Sequence, residues 1–153
     1  KLQDFERALN RLCLNLAKQI VVDGEGATKF ITLNIIGARS TSMARNIGFS
    51  IANSPLVKTA MSSGDPNWGR IIMAIGKSGE NIHPSKIQIK YGNYLVTDQG
   101  KEANDYNEKD LKEYMKWDSL DLEINLNIGS ASFTVYTCDL SHDYISINAD
   151  YRS

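Results

Sequence analysis

The chain has 153 residues, 42% hydrophobic and 23% charged, which suits one globular domain with a sizeable core and argues against a disordered tail. Seventeen basic residues against eighteen acidic ones leave a net charge of −1, which excludes the electrostatic footprint of a nucleic-acid or anionic-membrane binder. No apolar run approaches the roughly 20 residues of a membrane span, and there is no signal-peptide pattern.

Residue 1 is lysine, and an apolar helical pattern (Leu2, Phe5, Leu9, Leu12, Leu16, Ile20) begins almost at once. The start therefore reads as that of a chain cut from something longer. The pattern predicts a helix over 4–20, with Asp4 as N-cap and the apolar stripe turned to a core. The loop Val21-Val22-Asp23-Gly24-Glu25-Gly26-Ala27-Thr28-Lys29 ends it. Phe30 to Ile36 alternates as a strand, with Ile31, Leu33 and Ile35 on one face. Ser40 to Ser42 offers capping hydroxyls to a helix carrying Met43, Ala44, Ile47 and Ile51, whose small Ala44 and Gly48 permit close packing. Ser54-Pro55 and Asp65-Pro66 then start two short helices, around 55–62 and 66–75, stopped by Gly64 and Gly76.

The remaining half reads mostly as sheet. Ile87 to Tyr91 and Tyr94 to Thr97 form a hairpin through Gly92-Asn93, and Asn107 caps a helix reaching Lys116. Leu120, Leu122, Ile124, Leu126 and Ile128 alternate with Asp121, Glu123, Asn125 and Asn127, the clearest strand in the chain. Gly129-Ser130 is expected to turn it into Ala131 to Cys138, and Tyr144 to Ala149 is expected as a last strand. The fold class predicted is α+β, a largely antiparallel sheet covered by helices, and residues 1–153 form a single domain.

Chemical signals are few. Cys13, on the apolar face of the first helix, and Cys138, in a strand, lack CxxC or Cys/His spacing; two buried thiols in a reducing cytosol are expected, with no metal. Ser141-His142-Asp143 is a turn, because members of a catalytic triad are brought together by folding and not by adjacency. Asp121 and Glu123 share the solvated face of a strand. Asp65-Pro66-Asn67-Trp68-Gly69-Arg70 is explained by capping, by packing of Trp68 and by pairing of Arg70 with a carboxylate. Glu25 stands between two glycines, either as a solvated charge on a tight turn or as a carboxylate that a ligand or another backbone can approach closely.

Four strings carry a resemblance: Val21 to Lys29, Ala52-Asn53-Ser54-Pro55-Leu56-Val57-Lys58-Thr59-Ala60, Asp65 to Arg70, and Ile147-Asn148-Ala149-Asp150-Tyr151-Arg152-Ser153. In that order, and across nearly the whole chain, they resemble the bifunctional glutamate N-acetyltransferase/ornithine acetyltransferase family of arginine biosynthesis, in the C-terminal part of its β chain. The resemblance implies part of a layered α/β/β/α enzyme of the N-terminal-nucleophile kind. Family members cut their precursor before a threonine whose hydroxyl then carries acetyl from N-acetylornithine to glutamate, and some also accept acetyl-CoA; no cofactor is implied. It further implies an α chain and the rest of the β chain as partners in an αβ hetero-oligomer, small-molecule substrates, and a cytoplasmic location. The family's substrate-binding positions fall here on Glu25, Asn148 and Ser153. Lys1 is not the processed threonine, so no catalytic residue is expected in this chain, which alone is expected to be inactive. Two alternatives are a self-processing amidase or aminopeptidase of similar fold and a non-catalytic interaction domain.

Overall fold

The computed structural model describes residues 1–103 and 106–151. Its spine is a nine-residue strand, β1 (Phe30–Ala38). On one side β1 pairs in parallel with β5 (Ser119–Asn125), Leu33 facing Leu122; on the other it pairs antiparallel with β6 (Ala131–Cys138), Leu33 facing Val135. Beyond β5 lie β2 (Gln88–Tyr91), β3 (Tyr94–Asp98) and β4 (Lys101–Glu102), giving the order β4-β3-β2-β5-β1-β6. Among the described residues, four of the five strand pairings are antiparallel.

Alternation gives the sheet two unlike faces. Ile31, Leu33, Ile35, Leu120, Leu122, Ile124 and Ile89 are buried on one of them. That face is covered by α2 (Thr41–Ala52), α3 (Pro55–Ser63) and α4 (Trp68–Gly76), whose Ile47, Ile51, Met61, Ile71 and Ile75 are fully buried. The opposite face is polar: Asn34 is opposite Glu123 and Thr134, and Lys90 Nζ pairs with Glu123 at 3.1 Å. Helix α5 (Glu108–Tyr114) is capped by Asn107, and its Tyr114 hydroxyl accepts a 2.7 Å bond from the Asp121 amide near the start of β5.

Helix α1 (Leu2–Val22) departs from expectation. It buries no residue, Phe5 and Ile20 being 64% and 76% exposed, and its contact with the sheet includes Lys18 Nζ lying 4.4 Å over the Tyr136 ring. Lys1 occupies the N-cap position without a side-chain bond, so the expected Asp4 cap is not formed, and Cys13 is exposed where a buried thiol was expected.

Other differences have local causes. The cap of α4 is Asn67, whose side chain accepts from the Arg70 amide at 3.1 Å, and the helix begins at Trp68 rather than at Pro66. Asp65 is engaged by the Asn67 amide group instead. Gly64 does end α3, in the left-handed conformation, but Gly76 is the last residue of α4 and Lys77 follows as its cap. Strands β5 and β6 are sequential yet not paired, because β1 lies between them. The expected last strand is a helix, α6 (His142–Asp150). Ser141 supplies its cap and Asp143 an acidic first turn, so the stretch read as a turn is a helix start.

The fit of α2 on the sheet depends on Gly48. A Cβ added there would stand 2.7 Å from Val135 Cγ2 and 3.3 Å from Ile35 Cγ1. Valine at this position gains helix propensity of a few tenths of a kcal/mol over glycine, but overpacking costs about 1–3 kcal/mol and dominates. Gly48→Val is expected to lower the urea midpoint, with an unchanged m-value; an unchanged midpoint would show that the two layers are not in close contact.

Candidate functional site

The register of β1 against β6 places Phe30 opposite Cys138. The segment leading into β1 therefore lies beside the segment leaving β6, and the glycine-flanked loop meets the start of α6.

The loop leaves α1 with Asp23 N–H bonded to Gln19 O at 2.9 Å and closes a turn through Ala27 N–H to Gly24 O at 2.9 Å. Gly26 has φ +67°, and a Cβ on it would fall 2.5 Å from the Tyr144 amide nitrogen. Glycine is thus required twice over, for its backbone angle and for clearance from α6. The Ser141 hydroxyl caps α6 by accepting from Asp143 N–H at 3.2 Å, and it also donates to Gly26 O at 2.5 Å.

Above this junction Asn148 Nδ2 donates to Glu25 Oε2 at 2.8 Å and to Tyr144 O at 2.9 Å. Both predicted side chains, 123 positions apart, are therefore in contact. The second bond runs to the carbonyl one helical turn back, so Asn148 is placed by the helical period of α6 and not by a strand. With both amide hydrogens committed, the amide oxygen of Asn148 and Oε1 of Glu25 have no hydrogen-bond partner among the described residues. Glu25 and Asn148 are exposed. Ser153 lies outside the described residues.

Below the loop is a residue that sequence reasoning passed over. Asp139 is 3% exposed. Its Oδ1 accepts from the amides of Thr28 (2.8 Å) and Lys29 (2.9 Å), and its Oδ2 from the Thr28 hydroxyl (2.7 Å). Burial pushes this carboxyl upward, but the bonds from Thr28 and Lys29, helped by the Ser62 hydroxyl nearby, outweigh burial and hold it below the usual carboxylate range. The sequence signal was faint: one acidic residue at the exit of an alternating strand.

Lys58 and Arg70, which sequence analysis left outside the site, are bound to the scaffold. Lys58 Nζ lies 3.3 Å from Thr137 Oγ1 and 3.6 Å from Cys138 Sγ. Arg70 donates to Leu56 O at 2.8 Å and to Thr59 Oγ1 at 3.3 Å, so the carboxylate expected for it is replaced by a helix carbonyl and a hydroxyl. Among the described residues, no group of three or more His, Cys, Asp or Glu side chains could hold a metal ion.

The fold and this junction define an α+β domain whose described residues form a mixed six-stranded sheet, with a paired Glu and Asn where β1 and β6 meet at one end. The ArgJ family model matches residues 1–153. The chain is 49% identical over 150 residues to the arginine biosynthesis bifunctional protein ArgJ of Ruegeria pomeroyi, covering 98% of this chain and 37% of that protein. It is 44% identical over 153 residues to the protein of the same name from Brucella melitensis, covering 100% of this chain and 37% of that one. The crystal structure of the arginine biosynthesis bifunctional protein argJ of Bacillus halodurans superposes with a TM-score of 0.93 at 39% identity, over 97% of this chain and 70% of that one. The chain belongs to the ArgJ family. It spans 37% of the length of these curated relatives.

The pH dependence of the Asp139 junction has a defined sign. A carboxyl whose folded value is depressed contributes stability that is full above its unfolded value, about 3.9, and is lost as pH falls through the folded value. The stability difference between the native chain and Asp139→Asn should therefore be large near neutrality and shrink below about pH 4. Urea unfolding followed at several pH values checks this; a difference independent of pH would remove the ionised carboxylate from the account.

Proposed function

We propose that this chain is the part of a glutamate N-acetyltransferase/ornithine acetyltransferase that binds the charged head group of its amino-acid substrates. The observation that carries the reading is the 2.8 Å bond from Asn148 to Glu25, which joins two motifs from opposite ends of the chain at one point. The relatives' printed name, arginine biosynthesis bifunctional protein, supports the same assignment.

The reaction proposed is two acyl transfers through one ester. A threonine hydroxyl, in a section of the whole protein other than this one, attacks the acetyl carbonyl of N-acetylornithine. The C–N bond breaks, the departing nitrogen takes the hydroxyl proton, and ornithine leaves. The amine of glutamate then attacks the acyl-threonine, forming N-acetylglutamate and returning the proton to the hydroxyl. An oxyanion hole would stabilise both tetrahedral intermediates. Acetyl-CoA is proposed as a second donor that acylates the same threonine, a reading supported by the word bifunctional in the relatives' names.

In this scheme Glu25 supplies the negative charge that meets a substrate ammonium. Asn148 fixes one oxygen of that carboxylate and offers its own amide oxygen as acceptor, and Ser153 is proposed to complete the set. An exposed ion pair is worth only about 0–1 kcal/mol, whereas one in a water-poor cleft is worth more. The reading therefore needs cover from the rest of the protein. The apolar stripe of α1, exposed at Leu2, Phe5, Leu9, Leu12, Leu16 and Ile20, supports such cover, as do exposed Ile145 and Ile147 of α6. The proposed partners are accordingly an α chain and the remaining β-chain section in one αβ assembly. Free Cys13 and Cys138 support a reducing, cytoplasmic setting.

In the full-length protein, Glu25→Gln is expected to raise KM for N-acetylornithine by about 10- to 100-fold, the equivalent of the ~1.5–3 kcal/mol of a hydrogen bond to a charged group. Asn148→Ala should raise it about 10-fold. Steady-state kinetics of ornithine release read both changes, and unchanged values would overturn the substrate role. N-acetylglutamate formed in proportion to ornithine identifies the transferase; acetate in its place would assign an amidase.

A further inference from the structure

We propose that Asp139 is a positioning residue for substrate binding, holding the Glu25 loop in register with α6; the inference rests on the proposed role of Glu25. Two segments far apart in the chain converge on this one carboxylate. The amides and hydroxyl at the end of the loop reach it from Thr28 and Lys29, and Asp139 itself is the link between β6 and the cap of α6. The Asp139 amide also donates to Lys29 O at 3.3 Å, so the loop and the strand exit are bonded in both directions.

The arrangement excludes contact with substrate. Oδ1 accepts two amide hydrogens and Oδ2 the Thr28 hydroxyl, and the side chain is 3% exposed. Asp139 can act only through what it holds. Between Asp139 and Asn148 the chain is a capped helix, and between Thr28 and Glu25 it is a closed turn packed on that helix by Gly26. A shift of the loop end is therefore passed to Glu25. Misplacement of a binding group by about 1 Å is enough to cost a reaction about 100-fold.

A buried carboxylate suits this task better than a neutral amide. Hydrogen bonds to an ionised acceptor are roughly twice as strong as neutral ones, and a carboxylate accepts on both oxygens, whereas asparagine turns one acceptor into a donor. Asp139→Asn keeps shape and volume. The Thr28 hydroxyl can reverse to accept from the new amide, so the fold survives while the hold on the loop weakens.

The test is a double-mutant cycle in the full-length protein, with N-acetylornithine as substrate. Asp139→Asn is expected to raise KM about 10-fold while kcat changes less than about threefold. Glu25→Gln with Asp139→Asn should have the KM of Glu25→Gln alone within about twofold, because both changes spoil the same contact. Thr28→Val, which removes one bond and leaves Asp139 in place, should move KM in the same direction by a smaller factor, and it serves if Asp139→Asn does not fold. Multiplying effects of Glu25→Gln and Asp139→Asn, or a fall in kcat at constant KM, would overturn the positioning role and leave Glu25 in its proposed one. An unchanged KM in Glu25→Gln would overturn both.

Discussion

The constraint on which the site depends is the pairing of β1 with β6. Because Phe30 faces Cys138, everything just before β1 must lie beside everything just after β6. Antiparallel pairing thus turns a sequence separation of more than a hundred residues into hydrogen-bond contact, 111 positions for Thr28 with Asp139 and 123 for Glu25 with Asn148. The parallel pairing with β5 keeps β1 interior to the sheet, where its Ile31, Leu33 and Ile35 are almost fully buried. A strand fixed on both sides and on one face is a rigid platform, and its end is a suitable place from which to hold a loop.

Energetically the two ends of the loop differ. The Asp139 end is buried and bonded by charge-assisted contacts, so removing a partner would leave an unsatisfied group in low dielectric. The Glu25 end is open to water, where its charge carries little desolvation cost. The loop thus joins a rigid base to an exposed tip.

Much of the fold was legible in the residue pattern. Alternation marked β1 and β5, and short capping side chains at Ser40, Ser54 and Asn107 marked three helix starts. Errors arose where two local rules competed. Tyr144 to Ala149 alternates over six residues, too few to separate a strand from a helix, and the Ser141 cap decided the outcome. Asp65-Pro66 and Asn67 both offer caps, and the structure uses the later one. The unpaired β5 and β6 follow from a long-range choice that no turn residue encodes, since a strand from the start of the chain enters between them. For the site, Glu25 and Asn148 were found through a resemblance to motifs. Asp139 was missed because its partners, Thr28 and Lys29, are far from it in the chain.

The position of β6 at the sheet edge has a consequence for synthesis. As the chain emerges from the ribosome, β1 can pair with β5 once Asn125 has cleared the tunnel, while its other edge stays open until Cys138 follows. During that interval the open edge offers unpaired amides and carbonyls beside the Ile31–Ile36 stretch, a template for pairing with another nascent chain. Arrival of β6 closes the edge, and with the few residues behind it, Asp139 to Asn148, the loop gains its hold. Closure of the sheet edge and anchoring of the Glu25 loop are thereby completed by the same stretch of polypeptide.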